Sequence, residues 1–195
     1  SLEMERLKLA AASLADTDNI LVPFSKTLST VLNSATDFEK QVITKNTTYT
    51  IRTRFDLKGH TVTVPEGCTL KFEKGFIRNG TIVGQNSTII ANSAIFENIN
   101  IEGTWNCVGN VGWWATGSST TEYSKGSFVP KNNNDADNIQ KALDSSFREL
   151  IFPPKLFYID KTLVLRKEKK LILQGSDMRQ SLMMCKNTMH NSTVL

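Results

Sequence analysis

The sequence predicts a mainly β protein, a right-handed parallel β-helix (a solenoid) with short N-terminal and mid-chain α-helices. Three observations support this fold class. From residue 49 onwards, apolar residues occur in short runs rich in β-branched and aromatic side chains, which favour strands. Glycine and asparagine separate these runs, and none is long enough for a helix. Parts of the pattern return after 21 and 23 residues, a period typical of solenoids.

The composition agrees with many short strands joined by polar turns. Of the 195 residues 39% are apolar, below the roughly 45–50% usual for globular chains. The 21 threonines and 16 asparagines account for much of this difference. The net charge of +4 is small and scattered, so no nucleic-acid partner is expected. No stretch approaches the ~18 apolar residues of a membrane span.

Cysteine and histidine are too sparse to predict a metal site or a cofactor. The three cysteines lie far apart, no CxxC pair is present, and the chain has two histidines. An odd number of cysteines gives no disulfide framework, and Cys68 is expected to act as a small buried hydrophobe. We therefore predict neither metal nor cofactor.

Residues 1–48 are predicted to be a helical and linker region that caps the fold. One apolar stripe runs along a predicted helix over residues 3–15: Met4, Leu7, Ala11 and Leu14. A second short helix is expected around residues 25–32. The stripe most simply docks on its own domain, but it could also support a homotrimer. Two early glutamates interrupt the basic segment of a signal peptide, so none is predicted here.

Residues 49–108 are predicted to form a first β-helical block. The strand-like runs are residues 49–53, 61–64, 69–72, 76–77, 81–83, 88–90, 94–96 and 99–101. The repeat is marked by Gly59-His60-Thr61, Gly80-Thr81 and Gly103-Thr104. Alternate side chains are expected to fill the interior, such as Val62, Val64, Leu70 and Phe72. Leucine-rich repeats share the period, but their fixed leucine frame is absent.

Residues 109–134 are predicted to be a Trp- and Gly-rich linker. All three tryptophans, Trp105, Trp113 and Trp114, lie within ten residues around its start. They are the candidate substrate-binding residues, because clustered aromatic side chains can stack on sugar rings. The alternative is a packed joint between two blocks, in which tryptophan contributes a large buried area. Adjacent tryptophans point in different directions, which favours the joint.

Residues 135–195 are predicted to begin a second block. Asp135 is the expected N-cap of a helix, accepting hydrogen bonds from the first turn. The apolar face of that helix is Ile139, Ala142, Leu143 and Phe147. Strands are expected at residues 149–154, 157–160, 163–165 and 171–175. The charged run 166–170 between the last two is typical of a solvated turn.

The second block resembles the start of the pectate-lyase-like superfamily, which includes glycoside hydrolase family 28-like enzymes and phage tailspikes. The matching residues are Asp135-Ala136-Asp137-Asn138-Ile139-Gln140-Lys141-Ala142-Leu143, Ile151-Phe152-Pro153-Pro154, Tyr158-Ile159 and Leu171-Ile172-Leu173-Gln174-Gly175. Asn134 and Lys155 depart from the usual acid and glycine. Residues 55–84 resemble a leading β-helical segment of this superfamily in Bacteroides-type bacteria and their phages.

The resemblance implies the N-terminal portion of a carbohydrate-active protein that binds and depolymerises a polysaccharide or cell-surface glycan. It implies an extracellular, cell-surface or virion location, and further coils after residue 195. Catalytic residues of the superfamily lie on later coils, and no pair of acids matches them here, so no catalytic residue is assigned. The alternative is the shaft of a phage tail fibre, tailspike or surface adhesin with a structural and glycan-binding role.

Overall fold

Short β-branched runs pair side by side and in parallel through most of the protein. The computed structural model describes residues 24–29, 37–117, 121–124, 127–130, 135–174 and 182–185. Within these residues the protein is mainly β, with two α-helices and mostly parallel sheets. The helices are α1 (Asp37–Gln41) and α2 (Ala136–Asp144). Neither is long and apolar enough to cross a membrane.

The strands follow one another in short intervals along the chain. In order they are β1 (Phe24–Leu28), β2 (Thr47–Ile51), β3 (Arg54–Asp56), β4 (Thr61–Thr63), β5 (Thr69–Phe72), β6 (Phe76–Ile90), β7 (Phe96–Trp105), β8 (Gly109–Asn110), β9 (Thr121–Ser124), β10 (Ser127–Pro130), β11 (Glu149–Phe152), β12 (Leu156–Ile159), β13 (Lys170–Leu173) and β14 (Leu182–Cys185). A 3₁₀ turn, Val111–Trp113, follows β8. The β9–β10 pair is antiparallel.

Parallel neighbours are offset by about twenty residues. Thr48 lies beside Thr69, and Thr69 lies beside Thr88, in the row β1-β2-β5-β6. The long strand β6 also pairs with β3, β4 and β7, where Thr61 lies beside Thr81. Further along the chain, β11 lies between β8 and β13, and β12 pairs with β14.

In-register apolar side chains form the core. Two such rows are Tyr49, Leu70 and Ile89, and Val62, Ile82 and Ile101, all buried. The predicted interior residues are buried as expected, as is Cys68: Val62, Val64, Leu70 and Phe72. Since successive side chains of a strand point to opposite faces, this burial follows from the alternation in the sequence.

Helix α2 forms where it is predicted and buries the predicted face. Asp135 occupies the N-cap position, but its carboxylate makes no cap hydrogen bond to the helix. It instead accepts from the backbone N–H groups of Gly117 (3.4 Å) and Tyr158 (3.3 Å). Burial raises the pKa of Asp135. The capping prediction is therefore wrong about the side chain, which links α2 to two other segments.

Two further predictions are wrong. The helix expected over residues 25–32 is replaced at residues 25–28 by strand β1, which pairs in parallel with β2 and buries Leu28. Residues 163–165 form no strand, because the Gln140 side chain occupies the place of a neighbouring strand. Its amide donates to the carbonyl of Val164 (2.8 Å) and accepts from the N–H of Val164 (2.9 Å).

The third glycine of the predicted repeat has a different neighbour from the one expected. Gly103 lies beside Gly84, and Asn100 is the residue beside Thr81. Gly103 has φ +80°, and a Cβ there would overlap the carbonyl oxygen of Gly84. Only a residue without a side chain fits this contact, so the two glycines are paired for a steric reason.

Other predictions lie outside the described residues. These are the helix over residues 3–15, whose apolar stripe is the reason to consider a homotrimer, and the last residue of the strand expected over residues 171–175. Of the last twenty residues, the structure describes β14 alone.

The charged run 166–170 is exposed as predicted, apart from the half-buried Lys169.

Candidate functional site

A cavity of about 730 Å³ opens where the end of β7 meets the turn that follows α2. Its wall combines one aromatic ring with amides, hydroxyls, a thiol and two charged groups. The lining residues are Asn86, Gly103, Thr104, Trp105, Asn106, Cys107, Val108, Ser146, Arg148 and Glu149. Concave sites with a few convergent polar groups beside an aromatic ring are the usual form of ligand sites. We refer to it as the Trp105 cavity.

Backbone geometry around two glycines seats Trp105. The strand pairing brings Gly84 next to Gly103, and a Cβ on Gly84 would overlap the indole ring of Trp105. The indole N–H donates to the carbonyl of Glu102 (2.8 Å), and the ring lies 5.7 Å from that of Phe147. Trp105 is therefore fixed in position while part of its surface remains exposed at the cavity.

Trp113 and Trp114 have a different environment. They are 5% and 3% exposed, and their indole N–H groups donate to the carbonyls of Ala91 (3.3 Å) and Ile99 (2.9 Å). Both rings pack against Phe147. Trp113 also lines a separate cavity of about 230 Å³. The structure thus brings the three predicted residues around one phenylalanine, but only Trp105 lines the larger cavity.

Two polar groups at the Trp105 cavity lack partners. The Ser146 hydroxyl is buried and has no hydrogen-bond partner, which is uncommon for a buried polar atom. The Arg148 side chain is exposed and has no carboxylate or aromatic partner among the described residues. The other described arginines are paired: Arg52 with Glu73, Arg54 with the Phe76 ring, Arg78 with Asp56, and Arg166 with Asp144. The Arg148 guanidinium is therefore available to donate hydrogen bonds to a ligand, whereas the buried Ser146 hydroxyl has almost no exposed surface.

A second cavity, of about 480 Å³, lies beside the first. The two share Arg148 and Glu149, and the second is also lined by Glu168, Lys169 and Lys170. Glu149 pairs with Lys170 at 3.7 Å. The positive charge of Arg148 at the junction is not cancelled in this way. A chain-like ligand could follow the groove from Trp105 to Lys169.

Cys107 is held as a neutral thiol. Burial raises the pKa of Cys107, and the sulfur accepts a long hydrogen bond from the N–H of Ile89 (3.4 Å). Because the thiolate is the nucleophile, a raised pKa argues against nucleophilic chemistry at this position. The thiol lines the cavity wall as a weakly polar group.

Acid chemistry would need more carboxylates than this cavity offers. Among the described residues that line it, Glu149 is the one carboxylate. Glycoside hydrolysis usually needs two carboxyl groups about 5–10 Å apart. No group of three or more His, Cys, Asp or Glu is placed to hold a metal ion in the described part of the chain. The arrangement is suited to binding.

Sequence reasoning missed Ser146 and Arg148. Neither belongs to a motif, and each reaches the cavity because the turn after α2 packs against β7, where the N–H of Ser146 donates to the carbonyl of Ile101 (3.0 Å). The one usable signal was the polar stretch 144–149, which separates an apolar helix face from an apolar strand.

Comparison with protein-family models, with curated proteins and with solved structures finds no match to this chain. The superfamily resemblance therefore stays a prediction.

Proposed function

We propose that this chain is the leading part of a right-handed parallel β-helix that binds an acidic glycan along the groove beginning at Trp105. The proposal places the protein outside the cell, on a cell surface or on a virion, where such polymers occur. The observation that carries it is the combination of a partly exposed, fixed indole ring with an unpaired guanidinium and an unpaired hydroxyl in one cavity.

The β-helix is supported by the pairing of successive strands. Parallel neighbours about twenty residues apart, with in-register apolar side chains, are the pattern that stacked coils would produce. Parallel crossover connections are almost always right-handed, which favours that hand. In such a solenoid, side chains at coil ends lie in rows, so a long ligand can contact several coils.

The choice of an acidic glycan is supported by donor and acceptor chemistry. An arginine side chain only donates hydrogen bonds, and its planar guanidinium matches a carboxylate in a two-point contact. The amides of Asn86 and Asn106 line the same cavity and can pair with sugar hydroxyls. The apolar face of a sugar ring would stack on Trp105. With Glu149 as the carboxylate at hand, we propose binding without hydrolysis by this chain.

The test is calorimetric titration with a uronic-acid oligosaccharide and with its carboxyl-reduced, neutral counterpart. The wild type should bind the acidic ligand more tightly. Arg148→Gln should weaken binding about tenfold or more, the effect of losing one charge-assisted hydrogen bond. Arg52→Gln is the matched control, because Arg52 is also an exposed arginine but is paired with Glu73 outside the cavity. Equal affinities of the two variants, or no binding of either ligand, would refute the proposal.

A further inference from the structure

Lys169 stabilises the turn after α2, which forms part of the wall of the Trp105 cavity. Its ammonium group donates to the backbone carbonyls of Ser145 and Phe147, the two residues on either side of Ser146. Ser145 is the C-cap of α2, so its carbonyl lies at the negative end of the helix dipole, whereas Phe147 lies in the turn beyond the helix. A lysine from a later segment of the chain thus donates to one carbonyl at the helix end and to one in the turn that follows.

The charges around Lys169 come from three segments. Lys167, Glu168 and Lys170 are its neighbours in the charged run, and Arg148 and Glu149 share its cavity at the start of β11. Asp144 at the end of α2 is paired with Arg166 at 2.8 Å. Burial, followed by the charge of Lys167, lowers the pKa of Lys169 to about 8, while Asp144 acts in the opposite direction.

We propose that Lys169 is a positioning residue for the Trp105 cavity: by clamping Ser145 and Phe147 it fixes the turn at Ser146 and, through that turn, holds the Arg148 guanidinium in the orientation that meets the ligand. The inference rests on the proposed function for its ligand, but the clamp itself is a property of the free protein. Lys169 does not line the Trp105 cavity, and it acts there through the turn that it holds.

Mildly alkaline pH should favour the closed clamp. Burial lowers the pKa of Lys169 to about 8, so in this range a Lys169 side chain released into solvent binds a proton more readily than one held in the clamp. Release therefore becomes less favourable as the pH rises from about 8 towards the ordinary value of 10.5. Arg148 keeps its charge throughout this range, so the anion-binding group does not change.

The experiment measures backbone amide exchange at Ser146 by NMR in the ligand-free protein. At pH 7, Lys169→Met should raise this exchange rate roughly tenfold, as expected for the loss of about one charge-assisted hydrogen bond. Lys169→Arg keeps a permanent cation and should preserve protection. Lys167→Met removes a neighbouring charge of the same run and should leave the rate unchanged.

Above pH 8 the wild type should gain protection at Ser146 relative to Lys169→Arg, once each rate is divided by the intrinsic amide exchange rate at that pH, so the comparison holds even if the methionine variant folds poorly. Titration of the uronic-acid oligosaccharide at pH 7 should show about threefold to tenfold weaker binding to Lys169→Met than to the wild type, and Lys169→Arg should restore it. Equal exchange at Ser146 in all proteins and at all pH values would overturn the clamp. A normal exchange response with no glycan binding would support the clamp and refute only the proposed function.

Discussion

A row of polar side chains on neighbouring strands offers a quantitative test of the fold. Asn79 has φ +58°, and its amide donates to the Asp56 carboxylate (3.3 and 3.4 Å) and accepts from the Asn98 amide (3.2 Å). Asn98 also has a positive φ, of 50°. Asparagine at position 79 therefore does two things at once: it tolerates left-handed backbone, and it bridges three successive strand segments.

Two substitutions separate these contributions. Asn79→Gly keeps the left-handed backbone free of strain but removes the amide; two long, partly exposed hydrogen bonds are worth about 1 kcal/mol together, at the low end of the usual range. Asn79→Ala also removes the amide and adds the cost of a Cβ in left-handed backbone, about 1–2 kcal/mol. We expect losses of about 1.5–2 kcal/mol for glycine, which include the roughly 0.4–1 kcal/mol that glycine costs through the unfolded chain, and about 2–3 kcal/mol for alanine.

The assay is equilibrium urea unfolding followed by far-ultraviolet circular dichroism, with unchanged slopes taken as the sign that one transition is being compared. Asn92 is the control, because it is exposed and its φ is not positive. There the order should reverse, since glycine costs about 0.4–1 kcal/mol relative to alanine through the unfolded chain. If alanine is no worse than glycine at position 79, the backbone argument fails; if glycine matches wild type, the amide row contributes nothing.

Four further predictions concern stability. Gly84→Ala should cost roughly 1–3 kcal/mol in urea unfolding, because the added Cβ must displace the ring of Trp105. Phe147→Ala, which empties the space beside the three indole rings, should cost about 3–5 kcal/mol, and Phe147→Leu clearly less, as measured by thermal melting. The backbone N–H of Lys58, with Asn79 and Arg78, lowers the pKa of Asp56. The stabilisation by the Asp56 carboxylate is therefore present above the usual pKa of 3.8 and is lost as the pH falls through the lowered pKa. Asp56→Asn should flatten the curve of unfolding free energy against pH in that acid range. Burial raises the pKa of Asp135, so the contribution of this carboxyl group has the opposite sign. Its stabilisation is present below pH 3.8 and is lost as the pH rises through the raised pKa. Asp135→Asn should remove this decline in the free energy of unfolding, measured between pH 3 and 7.

The strands of the first block could be predicted because burial is a local property of an alternating sequence. Val62 and Leu70 each lie between two polar neighbours. Because successive side chains of a strand point to opposite faces, the polar neighbours face solvent and the apolar side chain faces the core. The pairing of Thr61 with Thr81 has an offset of 20 residues, one fewer than the 21-residue period counted on the glycines. Register breaks do not follow from it. The irregularity between Gly84 and Ser87 shifts everything after it, and short strands leave no sequence signal for such a shift.

The cavity could not be predicted for a related reason. Its walls come from segments about 20 to 60 residues apart, brought together by strand stacking and by the packing of α2 on β7. The sequence shows that residues 166–170 are charged. It does not show that the ammonium group of Lys169 is the half-buried one, next to the end of α2. Lys169 differs from Lys167 only in where the chain directs its side chain.

These contacts imply that α2 and the cavity wall form together with the segment that follows β12. A helix of nine residues is too short to be stable alone in water. Its polar face is tied to that later segment at three levels: Gln140 to the backbone of Val164, Asp144 to Arg166, and the helix end to Lys169. Each tie spans 22 to 24 residues, about the offset between neighbouring parallel strands. The residues that position Ser146 and Arg148 therefore depend on the next turn of the chain being in place, and the site is assembled by the same stacking that builds the sheets.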